Sequence, residues 1–241
     1  MIALLCSVPL EAEMLLASLK KGESCDLGST TFHRGTLARH EVALCTAGMG
    51  KVNAAHASTL LMTLYAPEAL AIFGVGGAYP SSGAKVGDIA LASEEIAGDE
   101  GVLTPGGFQD TAYIGIPLVR TGATRYYNHI PATAHVLKTA QNALSGSLPP
   151  GNIHTGKFIT LSTCTGTTTR AGELEDRYHG LCENMEGFAA AHVAELHHVP
   201  WLEVRGISNM VEDRDMAKWD IPKAAIAAQT AVFRILEEWK R

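Results

Sequence analysis

No apolar stretch in this sequence reaches the roughly 18 residues that a membrane-spanning helix needs. The apolar opening at residues 2–6 is too short for a secretory signal and lacks its basic flank and cleavage site, so a cytoplasmic protein is expected. Clusters of positive charge are equally scarce. The 19 Lys and Arg residues are outnumbered by 25 Asp and Glu and lie scattered, leaving no basic stripe for nucleic acid. The expected partner is a small molecule, not a polymer or a membrane. The five cysteines (Cys6, Cys25, Cys45, Cys164, Cys182) are odd in number and form neither a CxxC pair nor a metal-type spacing with histidine. Three sit in apolar, strand-like runs, where cysteine behaves as a small hydrophobe, and a reducing compartment fits best. No linker, repeat or low-complexity tract divides the 241 residues, which suit a single domain with a sizeable core.

What is present alternates between two apolar periods. A strand at 2–8 runs into a helical pattern at 9–19, with Pro9 well placed in the first turn. Strands are expected at 30–35 and 41–46, then a break at Gly48-Met49-Gly50 and an Ala-rich helix at 51–65. Residues 69–74 are an apolar run bounded by Pro67 and Gly74, as in a strand buried on both faces. Further strands are expected at 88–93, 157–162 and 201–207, and helices at 133–144, 185–196 and 222–239. The segment 97–113 is rich in Gly and Asp and aperiodic, and reads as a long functional loop. This alternation predicts an α/β fold in three layers, a central mixed, mostly parallel, twisted sheet flanked by helices. Ligands collect at the carboxyl ends of strands in such sheets.

Four clusters fall there: Glu11 with Glu13, residues 47–52 (AGMGKV), residues 74–78 (GVGGA), and the pair 183–187 (ENMEG) and 205–209 (RGISN). The glycines suit either tight turns or close backbone approach to a ligand, and match neither a Walker loop nor a dinucleotide fingerprint. Glu186 suits the positive end of a helix as well as a site. Arg205 and Asn209 follow an apolar strand, where polar groups are site candidates, although Ser208 and Asn209 also suit a turn cap. Asp88 is expected to secure the turn of the Val86-Gly87-Asp88 segment. His56, His129, His197 and His198 lack partner spacing and read as satisfied or surface residues.

Residues 183–190 (ENMEGFAA) followed by 204–209 (VRGISN), preceded in order by Glu11, AGMGKVNAA, GVGGA and VGDI, resemble the purine nucleosidase branch of the nucleoside phosphorylase superfamily. The layout is similar to methylthioadenosine/S-adenosylhomocysteine nucleosidases, which carry Asp where this chain has Asn209. Residues 208–220, with Ser-Asn-x-Val-x-x-Arg-Asp-x-x-x-Trp, and the segment 97–108 resemble the futalosine hydrolase family instead. That resemblance implies the nucleoside phosphorylase/nucleosidase fold and hydrolysis of futalosine to hypoxanthine and dehypoxanthinyl futalosine, in the futalosine route of menaquinone biosynthesis. Methylthioadenosine nucleosidase and purine nucleoside phosphorylase are the alternatives. It implies no cofactor, no metal, and a homodimer or higher oligomer in which segment 97–113 helps to close a neighbour's site.

The implied roles are specific. Glu186 would hold the ribose hydroxyls, Met185 would wall the sugar, and Glu11 or Glu13 would position the attacking water. Arg205 would fix that water or keep the carboxylates ionised. Asn209 would serve N7 and O6 of a 6-oxopurine. Gly76, Gly77 and the Thr165–Thr169 stretch, Thr168 and Thr169 in particular, would bind substrate. Lys51 follows the GMG turn, but phosphate-binding arginines are not apparent, which favours water as nucleophile. Asp213, Arg214, Asp215 and Trp219 would order a lid or form structural ion pairs.

Overall fold

The computed structural model describes residues 1–146 and 152–240. The chain runs β1 (Ile2–Cys6), α1 (Glu13–Ser18), β2 (Lys20–Leu27), β3 (Thr30–Leu37), β4 (His40–Thr46), α2 (Lys51–Tyr65), β5 (Ala69–Ala78) and β6 (Ile89–Ala97). An excursion follows: hairpin β7 (Gly101–Thr104) and β8 (Gly107–Asp110), the single turn α3 (Thr111–Ile114), hairpin β9 (Val119–Thr121) and β10 (Thr124–Tyr126), and β11 (His129–Pro131). The second half comprises α4 (Ala134–Ser145), β12 (Ile153–Thr160), α5 (Thr168–Tyr178), β13 (Gly180–Asn184), α6 (Gly187–Leu196), β14 (Trp201–Met210) and α7 (Ile221–Glu238).

Strand β1 is apolar and buried at every position, because it lies between two helical layers. Alternation assigns its side chains. Ala3 and Leu5 join the core under α2 and α6, whereas Ile2, Leu4 and Cys6 face the core under α1, α4 and α7. The main sheet has ten strands in the order β11-β6-β12-β13-β5-β1-β4-β3-β2, with β14 paired to both β5 and β6. β14 therefore closes β5, β13, β12 and β6 into a ring, while β1 to β4 extend from it as an open sheet.

The expected mixed sheet between helices is present. Half of its pairings are parallel, including the two longest ladders, β14 with β5 and β12 with β6. The antiparallel ones lie in the edge meander β2-β3-β4, where β13 and β14 close the ring, and at the other edge, where β11 joins β6. Three local expectations are corrected. The helix at 9–19 is a 3₁₀ turn at Pro9–Glu11 followed by the short α1, a break that turns Glu11 inward and leaves Glu13 exposed. The segment 97–113 is ordered as the hairpin β7-β8 and α3, whose N-terminus Asp110 caps. Strands β2 and β13 and helix α5 were not anticipated. β2 is exposed throughout, so no apolar alternation marks it. α5 does carry a signal, its buried stripe Ala171, Leu174 and Tyr178 at helical spacing.

Candidate active site

Strands β1, β5, β13 and β14 deliver their carboxyl ends to one pocket. Its innermost carboxylate is Glu11, nearly excluded from solvent. The 3₁₀ turn folds Glu11 back on the chain it left: Oε2 accepts from the Ser7 and Val8 amides at 2.8 and 3.1 Å. Oε1 accepts from Val75 N at 2.8 Å and keeps a second lone pair. Burial raises the Glu11 pKa above the usual carboxylate range, opposed by the nearby Arg205 charge and by these three amides. A side chain at Gly74 would collide with Glu11 Oε1 and crowd Arg205 Nη1, so the glycine leaves room for both side chains. Glu13 is exposed, outside the pocket wall. Of the two candidates, only Glu11 reaches the site.

Arg205 enters from β14 and is 1 % exposed. Its Nε donates to Glu203 Oε1 at 2.7 Å, Nη1 to the Val75 carbonyl at 3.1 Å, and Nη2 to Glu186 Oε2 at 3.4 Å. Burial alone would strip the guanidinium of its proton more easily. The charges of Glu203, Glu186 and Glu11 outweigh that and raise its pKa, so it stays a cation.

Glu186 is the N-cap residue of α6, with φ −129° and ψ −33°, and lies before the first helical turn, not in it. Asn184 Oδ1 takes the amides of Glu186 and Gly187 at 3.0 and 2.7 Å, which caps the helix in its place. That frees the Glu186 carboxylate for the pocket. Its Oε1 accepts from Gly50 N at 2.9 Å, a contact absent from the expectations and made possible by the left-handed φ of 96° at Gly50.

At the other end of the pocket, Asn209 is half-buried; its amide donates to the Met210 carbonyl at 3.0 Å and its Oδ1 accepts from Ser208 Oγ at 2.8 Å. One amide hydrogen is left beyond the Met210 bond. Gly76 and Gly77 line the pocket beside it, Gly77 being the register partner of Asn209 on β5, and Met185 lines it with its sulfur 3.2 Å from Cys164 Sγ. From the threonine stretch, only Thr165 arrives. Its amide and hydroxyl both donate to Glu183, at 2.8 and 2.5 Å, and Tyr79 donates to the same carboxylate at 3.1 Å. Burial raises the Glu183 pKa against these donors. Sequence reasoning assigned Glu183 no role.

The expectation for Thr168 and Thr169 fails. They open α5 outside the pocket wall, Thr168 exchanging hydrogen bonds with Asp213 at 2.9 and 3.2 Å. Asp213 and Asp215 are structural, the latter capping Ala217 N, whereas Arg214 stacks on Trp219 at 4.4 Å and both line the pocket. Lys51 is engaged by Asp99 and by Glu100 at 3.0 Å. Asp88 holds the Lys85 amide at 2.9 Å, Asn152 at 3.1 Å and His154 at 3.0 Å, as its turn-securing role requires.

The pocket brings buried carboxylates and a guanidinium together with an amide, and the relatives of the chain give its class, a hydrolase acting on N-glycosyl bonds. The sequence pattern of the phosphorylase superfamily matches residues 1–239, and the chain belongs to that superfamily. Futalosine hydrolase of Streptomyces coelicolor is 37 % identical over 69 % of this chain and 66 % of its own length, just under two thirds. The futalosine hydrolase of Thermus thermophilus is 32 % identical over 79 % of both chains. A 5′-methylthioadenosine/S-adenosylhomocysteine nucleosidase of Bacillus cereus is 26 % identical over 99 % of each. Among solved structures, the Streptococcus pneumoniae nucleosidase of that kind, bound to a transition-state inhibitor, superposes with a TM-score of 0.84 at 24 % identity over 98 % of each chain. At that identity it bears on the fold. Among the described residues, no helix is long and apolar enough to cross a membrane.

Proposed function

We propose that the protein hydrolyses the N-glycosidic bond of futalosine, releasing hypoxanthine and dehypoxanthinyl futalosine, in the futalosine route of menaquinone biosynthesis. One observation carries the choice of substrate: the pocket wall presents a neutral amide at Asn209. Its N–H suits N7 and O6 of a 6-oxopurine, whereas a carboxylic acid there would suit adenine. The relatives named futalosine hydrolase support the same choice.

In the reaction, positive charge develops on the ribose and negative charge on the departing base. The Glu186 carboxylate accepts from the ribose hydroxyls and stabilises the sugar cation, with Met185 as apolar wall. Glu11, through the free lone pair on Oε1, orients water and takes its proton. Arg205 holds Glu186 and, by its charge, favours ionised Glu11. Asn209 donates to the base as it leaves, and the Gly76 and Gly77 backbone allows the flat ring close approach. Water is the nucleophile, because Lys51 is spent on Asp99 and Glu100 and is not free for phosphate.

Exposed Leu103, Tyr113 and Ile116 on the β7–α3 excursion support a homo-oligomer in which this segment reaches a neighbouring subunit. Five free cysteines agree with a reducing, cytoplasmic setting. The full-length likeness to the Bacillus cereus protein favours a second reading, adenine release from methylthioadenosine. The deciding experiment incubates the protein with futalosine, inosine and methylthioadenosine, each with and without phosphate. Hypoxanthine from futalosine without phosphate is the expected result. Adenine from methylthioadenosine, or an absolute need for phosphate, overturns the assignment.

A further inference from the structure

Inside the ring of strands closed by β14, two glutamates are fully buried, Glu95 on β6 and Glu203 on β14. Neither lines the pocket. A side chain on Gly187 would collide with Glu203 Oε2 and with Glu95 Oε1 at once, which brings the two carboxyl groups face to face. Their surroundings differ. Glu203 Oε1 receives Arg205 Nε, and Glu203 is the anion of that ion pair. Its Oε2 is buried with no donor in reach among the described residues. Glu95 receives Thr160 Oγ1 on Oε2 at 2.6 Å and Asn184 Nδ2 on Oε1 at 2.7 Å.

An orphaned acceptor beside a second buried carboxyl has one economical remedy, a proton between them. Charge counting agrees. Four carboxyl groups (Glu11, Glu186, Glu203 and Glu95) surround or adjoin a single guanidinium, and one positive charge cannot balance four buried negative ones. Burial first, and then the Glu203 charge, raise the Glu95 pKa far above the ordinary range.

The pair is also wired to the site. Asn184, held by Glu95, gives its Oδ1 to the amides of Glu186 and Gly187. Thr160, also held by Glu95, takes the amide of Phe188 at 2.8 Å. Glu203 in turn fixes the Arg205 fork that grips Glu186.

We propose that Glu95 is kept as a neutral carboxylic acid that donates its proton to Glu203 Oε2, and that the pair is a positioning unit for Arg205 and Glu186. Neither residue touches substrate. The proton removes one of the four negative charges, so that Arg205 divides its single charge among Glu203, Glu186 and Glu11 only. The remaining ionisable groups near the pair are Cys182 on β13, buried and raised in pKa, and Glu183, which faces Thr165 and Tyr79.

The inference rests on the nucleosidase reading for its kinetic arm alone; its spectroscopic arm needs no substrate. Infrared difference spectra of the resting protein at neutral pH compare wild type, Glu95→Gln and Glu203→Gln. A protonated-carboxyl carbonyl band present in wild type, lost in Glu95→Gln and kept in Glu203→Gln is expected. Identical acid bands in wild type and Glu95→Gln overturn the proposal. In the pH profile of kcat/KM, the acid limb set by Glu11 should stay in place in Glu95→Gln. It should move down by about one unit in Glu203→Gln, where Arg205 bears more strongly on Glu11. A limb that moves down equally in Glu95→Gln means that Glu95 was an anion, and overturns the proposal even if both variants fold and turn over.

Discussion

At the scale of single residues, the site depends on atoms whose hydrogen-bonding capacity is nearly used up. Glu11 has one lone pair left for water after three backbone amides, so its substitution is expected to be severe. Glu11→Gln should lower kcat by about 10²–10⁴-fold, the range of general-base contributions. The acid limb of the profile, raised above the ordinary carboxylate range by burial, should vanish with it. Activity in wild type rises with pH through that pKa because the working form is ionised. Asn209→Asp tests the substrate assignment: hypoxanthine release should fall by about tenfold or more, with adenine release gaining relative to it. Product analysis on futalosine and methylthioadenosine reads both. Much of this was legible in the sequence. Glu11, Glu186 and Asn209 stand at or just past strand ends, where polar residues after apolar runs announce themselves, whereas Arg205 lies inside β14 and the sequence placed it after the strand. Thr168 and Thr169 misled because a threonine-rich turn looks alike whether it faces a ligand or caps a helix. Glu95 and Glu203 carried no signal, since a polar residue inside an apolar strand declares its burial only once the partner strand is known.

At the scale of elements, the glycine turn before α2 is an instrument of the site. Gly50 N reaches Glu186 from a turn whose next residue, Lys51, is held by Asp99 and Glu100 just past the end of β6. Asp99 in turn takes the amide of Ser162 at 2.6 Å, tying the turn to the strand end that leads to Thr165. Burial would raise the Asp99 pKa, but the Lys51 and Ser162 hydrogen bonds lower it overall. Lys51→Met should leave α2 folded and reduce kcat/KM by about tenfold through misplacement of Glu186. Steady-state kinetics beside a circular dichroism melt would separate the two effects. The sequence marked Gly48-Met49-Gly50 as a break but not as a hydrogen-bond donor to a residue 136 positions away. Helix α6 shows the same limit: its Ala-rich period was readable, yet its start was placed too early, because Asn184 and not Glu186 supplies the cap.

At the scale of the whole molecule, the buried acids decide how stability follows pH. Glu11, Glu95 and Glu183 have raised folded pKa values, so each contributes stability when protonated and loses it as pH climbs through the folded value. Glu94, lowered chiefly by its hydrogen bond with His129, works the other way and gives up its contribution as pH falls. A Glu95 that stays neutral in the folded state but ionises on unfolding makes stability fall by about 1.4 kcal/mol per pH unit above the unfolded value. Denaturant melts of wild type between pH 5 and pH 8 should therefore weaken toward the alkaline end, with a shallower slope in Glu95→Gln. Equal slopes would mean that the acid ionises in both states. The overall alternation of strands and helices was plain from the apolar periods. Closure of five strands into a ring was not, because it depends on β14 pairing with two neighbours at once.

The meander β2-β3-β4 lies on the far side of β1 from that ring, and its outermost strand is exposed at every residue and studded with Lys20, Lys21, Glu23 and Asp26. Charges of this kind discourage another chain from docking along an open border. They also make the reversal at Gly28 the natural place to graft a fluorophore, an affinity handle or a whole passenger protein. No side chain of that outermost strand lines the pocket.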